Sequence, residues 1–222
     1  IPKTDIAIEL GGEDSKITYL RGSLEQRMNS ICAGGTGAFI DQMATLLRTD
    51  SSGLNELAKN YKKIYPIASR CGVFAKTDIQ ALINQGASKE DIAVSVFQSV
   101  VNQTISNLAC GRPIRGHIAF LGGPLHFLPM LRERFIETLN LKDDEIIIPE
   151  NSEIFVAIGA ALSGIDSEII TFKELYKKVN EERENIVSKE NKLKPLFKDE
   201  EDLENFRKRH SIKRIKSRDF KS

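Results

Sequence analysis

The stretch Asp5-Ile-Ala-Ile-Glu-Leu-Gly-Gly12 alternates polar with apolar side chains and then ends in two glycines. This pattern predicts a half-buried strand that stops in a tight turn. Residues 16–20 and 24–29 predict two more short strands, with a turn at residues 21–23 between them. Three consecutive strands joined by short turns favour an antiparallel meander.

The chain after the meander alternates helices with short strands. Helices are predicted over 38–47, 53–60, 78–84, 88–109, 126–139 and 152–163, and strands over 117–121 and 145–148. Thr77 is the predicted N-cap of the third helix and Ser88 that of the fourth. Strands separated by helices favour parallel additions to the meander. The predicted fold class is therefore α/β, with a mixed sheet and helices on both faces.

Composition restricts the class of protein. The 222 residues are 41% hydrophobic and 28% charged, which is typical of a globular protein. No apolar run approaches the roughly 18 residues that suggest a membrane span, so no membrane partner is expected. Three cysteines are too few for a disulfide-stabilised secreted domain, so a cytoplasmic location is expected.

Charge is unevenly distributed along the chain. Residues 1–172 hold 16 Lys/Arg against 20 Asp/Glu, a net of −4, whereas residues 173–222 hold 16 against 11, a net of +5. A solvated helix with a linker is the favoured interpretation of this tail, and a connection to a further domain is another. A nucleic-acid patch is disfavoured because aromatic residues do not alternate with the basic ones. Those basic residues are Arg207, Lys208, Arg209, Lys213, Arg214, Lys216 and Arg218.

Three glycine-containing turns follow predicted strands or precede predicted helices, at residues 11–12, 34–37 and 122–123. Backbone N–H groups in such turns, close to helix N-termini, hold phosphate groups well. One such turn is weak evidence, but three in one α/β domain favour a nucleotide site. None of them matches the Walker A pattern or the Rossmann pattern.

Two cysteines lie next to these glycine turns. Cys32 directly precedes the second turn, and Cys71 precedes Gly72 and a predicted helix. A thiol near a helix N-terminus is biased toward the thiolate that binds metal, although two buried structural cysteines are the commoner arrangement. An iron–sulfur cluster usually needs four thiolates, so two such units would have to meet. Cys110 ends a predicted buried helix and is expected to be structural.

Three carboxylates crowd the first glycine turn: Glu9, Glu13 and Asp14. They have the chemistry to position Mg²⁺ or a water molecule for phosphoryl transfer. Exposed turn residues would show the same pattern, so both interpretations stay open.

Four motifs occur in order between residues 5 and 163. They are Glu9-Leu-Gly-Gly-Glu-Asp-Ser-Lys16, Met28-Asn-Ser-Ile-Cys-Ala-Gly-Gly-Thr-Gly37, Ser69-Arg-Cys-Gly-Val-Phe-Ala75 and Phe120-Leu-Gly-Gly123. Together they resemble the ATPase activators of 2-hydroxyacyl-CoA dehydratases and the related ATPase subunits of benzoyl-CoA reductases. The resemblance implies an RNase H-like half of the ATPase fold shared by actin, sugar kinases and heat-shock chaperones. Residues 48–116 would then be a helical insertion.

The resemblance also implies ligands. It assigns residues 11–16 to the second phosphate motif, residues 34–37 to a loop near the phosphates, and residues 122–123 to the adenosine motif. The residues implied in binding ATP and Mg²⁺ are Glu9, Gly11, Gly12, Glu13, Asp14, Lys16, Gly34, Gly35, Thr36, Gly37, Gly122 and Gly123. Cys32 and Cys71 would hold a [4Fe-4S] cluster shared across a dimer. ATP turnover would drive a low-potential electron into a dehydratase- or reductase-type partner.

The sequence departs from the family pattern at the second phosphate motif and after the adenosine motif. Glu9 and Glu13 replace the usual Asp and Gln, and Pro124-Leu-His126 replaces the usual small residues. These variants resemble the first activator-like domain of large multi-domain activase-related proteins. Residues 1–165 are thus expected to form an activator-like half-domain, and 166–222 a charged helix and linker toward a further domain. The cluster partner would be a second copy or that further domain.

Three hypotheses for function remain from the sequence. The first is a redox activator module that shares a cluster. The second is a non-redox ATPase-fold module of kinase-like or regulatory type. The third is a structural domain with an incomplete nucleotide site.

Overall fold

The computed structural model describes residues 1–29, 34–68, 71–165, 169–189 and 195–211. The described chain forms two compact units, Ile1–Asp166 and Ser167–Ser222. The strands are β1 Ile6–Leu10, β2 Ser15–Tyr19, β3 Glu25–Met28, β4 Ile118–Leu121 and β5 Ile146–Ile147. The helices of the first unit are α1 Gly37–Leu46, α2 Ser51–Ala58, α3 Gly72–Asn84, α4 Lys89–Thr104, α5 Gly123–Phe127, α6 Pro129–Leu139 and α7 Phe155–Ser163.

The five strands form one mixed sheet in the order β3-β2-β1-β4-β5. β1 pairs antiparallel with β2 and parallel with β4, so Ile8 lies opposite Ile17 on one side and Phe120 on the other. β2 pairs antiparallel with β3, and β4 pairs parallel with β5. The predicted meander with parallel additions is therefore confirmed.

The core lies between one face of the sheet and the helices. Ile8, Leu10 and Ile17 alternate with half-buried neighbours along β1 and β2, as the period of a strand requires. They belong to the same buried cluster as residues of α1, α4 and α6. α4 is buried on most of its surface, because apolar side chains form two adjacent rows along it. The rows are Ile92, Val96 and Val100, and Ala93, Phe97 and Val101. It continues into a π-helical turn, Ile105–Ala109. α7 is apolar but has no fully buried residue among those described.

The extended segment 61–68 is held by acidic and hydroxyl side chains of neighbouring helices. The Asp91 carboxylate accepts hydrogen bonds from the backbone N–H groups of Lys62 (2.7 Å) and Lys63 (2.9 Å). The Ser95 hydroxyl accepts one from Tyr65 N–H, and the Asp78 carboxylate one from Ala68 N–H, each over 2.8 Å. The backbone of this segment pairs with no strand, and these side chains satisfy its N–H groups instead. They hold residues 62–68 in place.

The prediction for one helix start is wrong. α3 begins at Gly72 with Cys71 as its N-cap, whereas the sequence predicts a start at 78 with Thr77 as the cap. The Thr77 hydroxyl instead donates to Val73 O within the helix. Ser88 is the N-cap of α4 as predicted, and its hydroxyl accepts from Asp91 N–H over 3.1 Å.

The second unit contains two charged helices, α8 Phe172–Lys189 and α9 Glu200–Ser211. α9 has acidic residues in its first turn and basic residues in its last, which suits the helix dipole. Arg207, Lys208 and Arg209 lie in α9, whereas Lys213, Arg214, Lys216 and Arg218 lie outside the described residues. Within the described part of the chain, no helix is both long enough and apolar enough to cross a membrane.

Replacing Asp91 with Ala should lower the free energy of unfolding by about 1–3 kcal/mol, because two backbone N–H groups lose a charged acceptor. The bonds from Lys62 and Lys63 hold the pKa of the Asp91 carboxyl below its ordinary 3.8. The stabilisation should thus be complete above about pH 4 and disappear as the pH falls further. Urea unfolding of wild type and Asp91→Ala at several pH values measures both effects.

Glu90→Ala is the control, since it removes a carboxylate from the same helix turn. Asp91→Asn, which keeps one carbonyl acceptor, should lose less stability than Asp91→Ala. An equal loss in Glu90→Ala would contradict the role given to Asp91.

Candidate functional site

The first and third glycine turns meet at one pocket of about 470 Å³, together with Gly37, the last residue of the second turn. The pocket lies where β1 and β4 end and α1 begins. Predicted site residues in its wall are Glu9, Gly11, Gly12, Gly37, Gly122 and Gly123. Further lining residues are Ile40, Asp41, Ser51, Leu121, Pro124, Phe127, Leu128, Ser152, Glu153 and Val156. The carboxyl edge of parallel strands is the usual ligand site of open α/β sheets.

The Gly11-Gly12 turn binds the N-terminus of α1 directly. The Gly37 N–H donates to Gly11 O over 3.0 Å, and the Ala38 N–H donates to Gly12 O over 2.7 Å. A Cβ on Gly37 would lie 3.3 Å from Gly11 O, so a side chain there would press the turn and the helix apart. The turn therefore brings the positive end of the α1 dipole to the pocket wall.

Gly122 joins β4 to α5 at a place where no side chain fits. Its φ of +89° is in the left-handed region, and a Cβ would lie 2.0 Å from Leu10 O. Its N–H donates to Ser152 O over 2.9 Å. Gly122 thus fixes the end of β1 and the segment after β5 around the same pocket.

Glu9 is the one of the three crowded carboxylates that lines the pocket. Its Oε1 accepts from Lys16 Nζ over 3.1 Å, with about a fifth of each side chain exposed. Lys16 itself is not among the lining residues; it faces Glu9 across the β1–β2 pair. The ion pair partly neutralises the carboxylate at the pocket edge.

Glu13 and Asp14 are exposed turn residues outside the pocket wall. Asp14 acts through its backbone, whose carbonyl accepts from Gly11 N–H over 2.7 Å. The Asn29 side chain closes the turn by donating to Glu13 O and accepting from Ser15 N–H. The charge of Glu13 is therefore directed to solvent.

Gly34 and Gly35 pack against Gln103 of α4, and neither they nor Thr36 are among the residues that line the pocket. A Cβ on Gly34 would lie 2.3 Å from Gln103 Nε2, and one on Gly35 would lie 3.4 Å from the same side chain. Thr36 is fully buried as the N-cap of α1. The loop thus approaches the pocket at its last residue, Gly37.

Cys71 is the N-cap of α3 and is partly exposed. The backbone N–H groups of Phe74 and Val73, at the start of α3, lower the pKa of the Cys71 thiol below its ordinary value. Val73 and Phe74 are apolar side chains that are 70% and 65% exposed. The structure thus places a thiol with a lowered pKa beside two exposed apolar side chains.

Of the other two cysteines, one is among the described residues. Cys32 lies outside the described residues. Cys110 is expected to end a buried helix, but it is exposed, in a left-handed conformation after the π-helical turn. Among the residues that the structure describes, no group of three or more His, Cys, Asp or Glu is arranged to hold a metal ion.

Sequence reasoning missed the contribution of the segment after β5. Ser152 and Glu153 line the pocket, and Glu153 contacts His126 of α5. Because β5 is parallel to β4, residues that follow the two strands lie at the same edge of the sheet. The predicted parallel strands at 117–121 and 145–148 therefore contained the information needed to find Ser152 and Glu153.

Residues 2–164 match the family described as the BadF/BadG/BcrA/BcrD ATPase family. The chain belongs to this ATPase family. It is 31% identical over 178 residues to a 2-hydroxyisocaproyl-CoA dehydratase activator of Clostridioides difficile, a match that covers 79% of this chain and 65% of the relative. An activator of lactoyl-CoA dehydratase from Anaerotignum propionicum is 30% identical over 169 residues, covering 73% of this chain and 62% of the relative.

Solved structures of the BadF/BadG/BcrA/BcrD ATPase family support the fold. Component A of (R)-2-hydroxyglutaryl-CoA dehydratase from Acidaminococcus fermentans superposes with a TM-score of 0.66 at 31% identity, covering 73% of this chain and 61% of that one. The activator of 2-hydroxyisocaproyl-CoA dehydratase from Clostridium difficile with bound ADPNP gives 0.62 at 27% identity, covering 77% and 66%. The predicted actin-type ATPase fold is confirmed, and the chain spans about two thirds of the length of these relatives.

Gly122→Ala should lower the free energy of unfolding by about 2–4 kcal/mol, because a methyl group would meet the Leu10 carbonyl in a strained backbone conformation. Gly12→Ala is the control, since a Cβ there meets no atom within 4 Å. Its stability should stay within about 1 kcal/mol of wild type. Urea unfolding compares the two variants, and equal losses would contradict the close contact at Gly122.

Cys71 should be alkylated with a pH midpoint below the ordinary value of about 8.5, because the helix N–H groups favour its thiolate. Iodoacetamide labelling against pH, in a Cys32→Ser/Cys110→Ser background, measures this midpoint. The same variant unfolded in guanidinium should return to the ordinary midpoint. An unchanged midpoint on unfolding would contradict the capping interaction.

Proposed function

We propose that this chain is the nucleotide-binding part of an ATP-dependent activator that delivers a low-potential electron to an acyl-CoA dehydratase- or reductase-type partner in the cytoplasm. The observation that supports it best is the meeting of the first and third glycine turns with Gly37 at one pocket in a member of an ATPase family. Relatives named as dehydratase activators, and one named as a component of benzoyl-CoA reductase, give the partner class.

The nucleotide would lie with its phosphates at the Gly11-Gly12 turn and the start of α1. The positive end of the α1 dipole suits negative charge there. Glu9, already paired with Lys16, would be the carboxylate that orients Mg²⁺ or a water molecule. The exposed position of Glu13 supports phosphate binding, because its charge would not repel the ligand at close range.

Gly34, Gly35 and Thr36 would support the phosphates through the position of α1. The close packing of Gly34 and Gly35 on Gln103 fixes the loop that ends at Gly37. Gly122 and Gly123 would lie at the adenosine, where the absence of side chains lets a nucleoside approach the backbone.

The chemistry of Cys71 fits a shared iron–sulfur cluster. Its pKa is lowered by the Phe74 and Val73 N–H groups, and the thiolate is the form that ligates iron. Cys32 and Cys71 would hold a [4Fe-4S] cluster together with the two equivalent cysteines of a second unit. When bound, the cluster would accept one electron at a time from a low-potential donor and pass it to the partner protein.

The second unit would be another copy of the chain or a second activator-like domain. The exposed apolar side chains of Val73 and Phe74, which flank Cys71, suit burial against such a unit. Residues 1–165 would then act as the half-domain, and 166–222 as the connection to a further domain.

Anaerobic reconstitution with iron and sulfide tests the redox part of the proposal. A dimer should contain about two irons per chain, with the visible absorption of a [4Fe-4S] cluster. Cys32→Ser and Cys71→Ser should each abolish it. Cys110→Ser is the matched control and should keep the full iron content.

Nucleotide binding is measured separately, by calorimetric titration of ADP in the presence of Mg²⁺. Binding without cysteine-dependent iron would favour a non-redox ATPase-fold module. If the chain binds neither the nucleotide nor cysteine-dependent iron, the proposal is overturned and the structural-domain hypothesis is favoured.

A further inference from the structure

The Glu153 carboxylate lies in the wall of the pocket. It follows β5 and lies beside Ser152, whose carbonyl accepts from Gly122 N–H. About a quarter of its side chain is exposed, so a ligand in the pocket can reach it. It is thus a charged group at the end of the pocket formed by Gly122 and Gly123.

His126 determines where this carboxylate points. Its Nδ1 lies 3.0 Å from Glu153 Oε2 and 2.9 Å from Ser152 Oγ, and its ring packs edge-on against Phe127 at 4.6 Å between centroids. A carboxylate only accepts hydrogen bonds, so an attractive contact requires the proton on Nδ1. His126 therefore holds Glu153 in place through an electrostatic contact.

One oxygen of Glu153 is incompletely satisfied. Oε2 is buried, and its contact with His126 has the distance of an ion pair without a directed hydrogen bond. Oε2 is therefore out of reach of a ligand, whereas Oε1 is not among the buried atoms and accepts no hydrogen bond from the described residues, so Oε1 is the oxygen that a ligand in the pocket can contact. The pocket wall thus favours a donor from whatever binds there.

The chemistry of a nucleotide restricts what that donor is. The phosphates are negatively charged and would be repelled by Glu153, so the nucleoside part must face it. Two neighbouring ribose hydroxyls can each turn an O–H toward the exposed carboxylate oxygen, whereas the two N–H bonds of the adenine amino group diverge from one nitrogen. The apolar residues Pro124, Phe127 and Val156 in the same wall suit the faces of a base.

We infer that Glu153 accepts hydrogen bonds from the ribose hydroxyls of the bound nucleotide, and that His126 is its positioning residue. Glu153 thereby selects ribonucleotides over deoxyribonucleotides. The inference rests on the proposed nucleotide site and adds to it the specificity for the sugar.

Calorimetric titration of the full chain with ADP, 2′-deoxyADP and 3′-deoxyADP tests this selection. Wild type should bind ADP at least about tenfold more tightly than one of the deoxy analogues, as expected for a hydrogen bond to a charged acceptor. Glu153→Ala should bring that ratio close to one. The ratio is informative because removal of the charge affects the phosphates of all three ligands alike.

Glu150→Ala is the matched control. It removes an exposed carboxylate three residues away, outside the pocket wall, and should keep the wild-type ratio. Inosine diphosphate lacks the 6-amino group of adenine, so its binding tests whether that amino group is the donor to Glu153. If Glu153→Ala changes the preference for ADP over inosine diphosphate and leaves the deoxy ratios unchanged, the ribose assignment is overturned.

Two His126 variants test positioning. His126→Asn keeps a donor near the place of Nδ1 and should retain most of the preference for ADP over the deoxy analogues. His126→Phe keeps an aromatic ring without a donor and should lose that preference. Equal discrimination in both variants would overturn the role of His126.

Failure of this inference differs from failure of the proposed function. If wild type binds ADP but Glu153→Ala keeps the wild-type deoxy ratios, the sugar specificity is wrong and the nucleotide site stands. If wild type binds none of the nucleotides, both are overturned.

Discussion

The fold of the first unit depends on close backbone packing at the carboxyl end of β1. Gly122 approaches the Leu10 carbonyl where a Cβ would lie 2.0 Å away, and the Gly11-Gly12 carbonyls accept from the first N–H groups of α1. These contacts bring β1, β4 and α1 together without intervening side chains. The pocket lies at this junction and is lined by the same glycines, so one constraint determines both the packing and the position of the site.

A second set of contacts determines the position of Cys71. The segment 61–68 pairs with no strand, and Asp91, Ser95 and Asp78 satisfy its backbone N–H groups instead. Cys71 is the N-cap of α3, and the backbone N–H groups at the start of that helix lower the pKa of its thiol. The proposed cluster ligand is thus held by the same helices that form the core.

The proposed nucleotide site combines groups of opposite electrostatic character. The start of α1 is suited to phosphates, whereas Glu9 and Glu153 are suited to cations or hydroxyl donors. Lys16 pairs with Glu9 and limits the repulsion between that carboxylate and a charged ligand, and the His126 ring lies 3.0 Å from Glu153. This division gives a nucleotide one preferred direction in the pocket.

The sequence by itself determined the antiparallel meander with its parallel additions, the three glycine turns and the family, because side-chain periodicity and glycine placement are local properties of the chain. It also indicated Ser88 as an N-cap, since the cap depends on neighbouring residues. The tertiary structure alone decided that Glu13 and Asp14 face solvent, that Cys71 and not a residue near Thr77 begins α3, and that Glu153 meets His126. Each of these depends on contacts between residues or segments whose geometry no local pattern encodes, and spatial packing determines them.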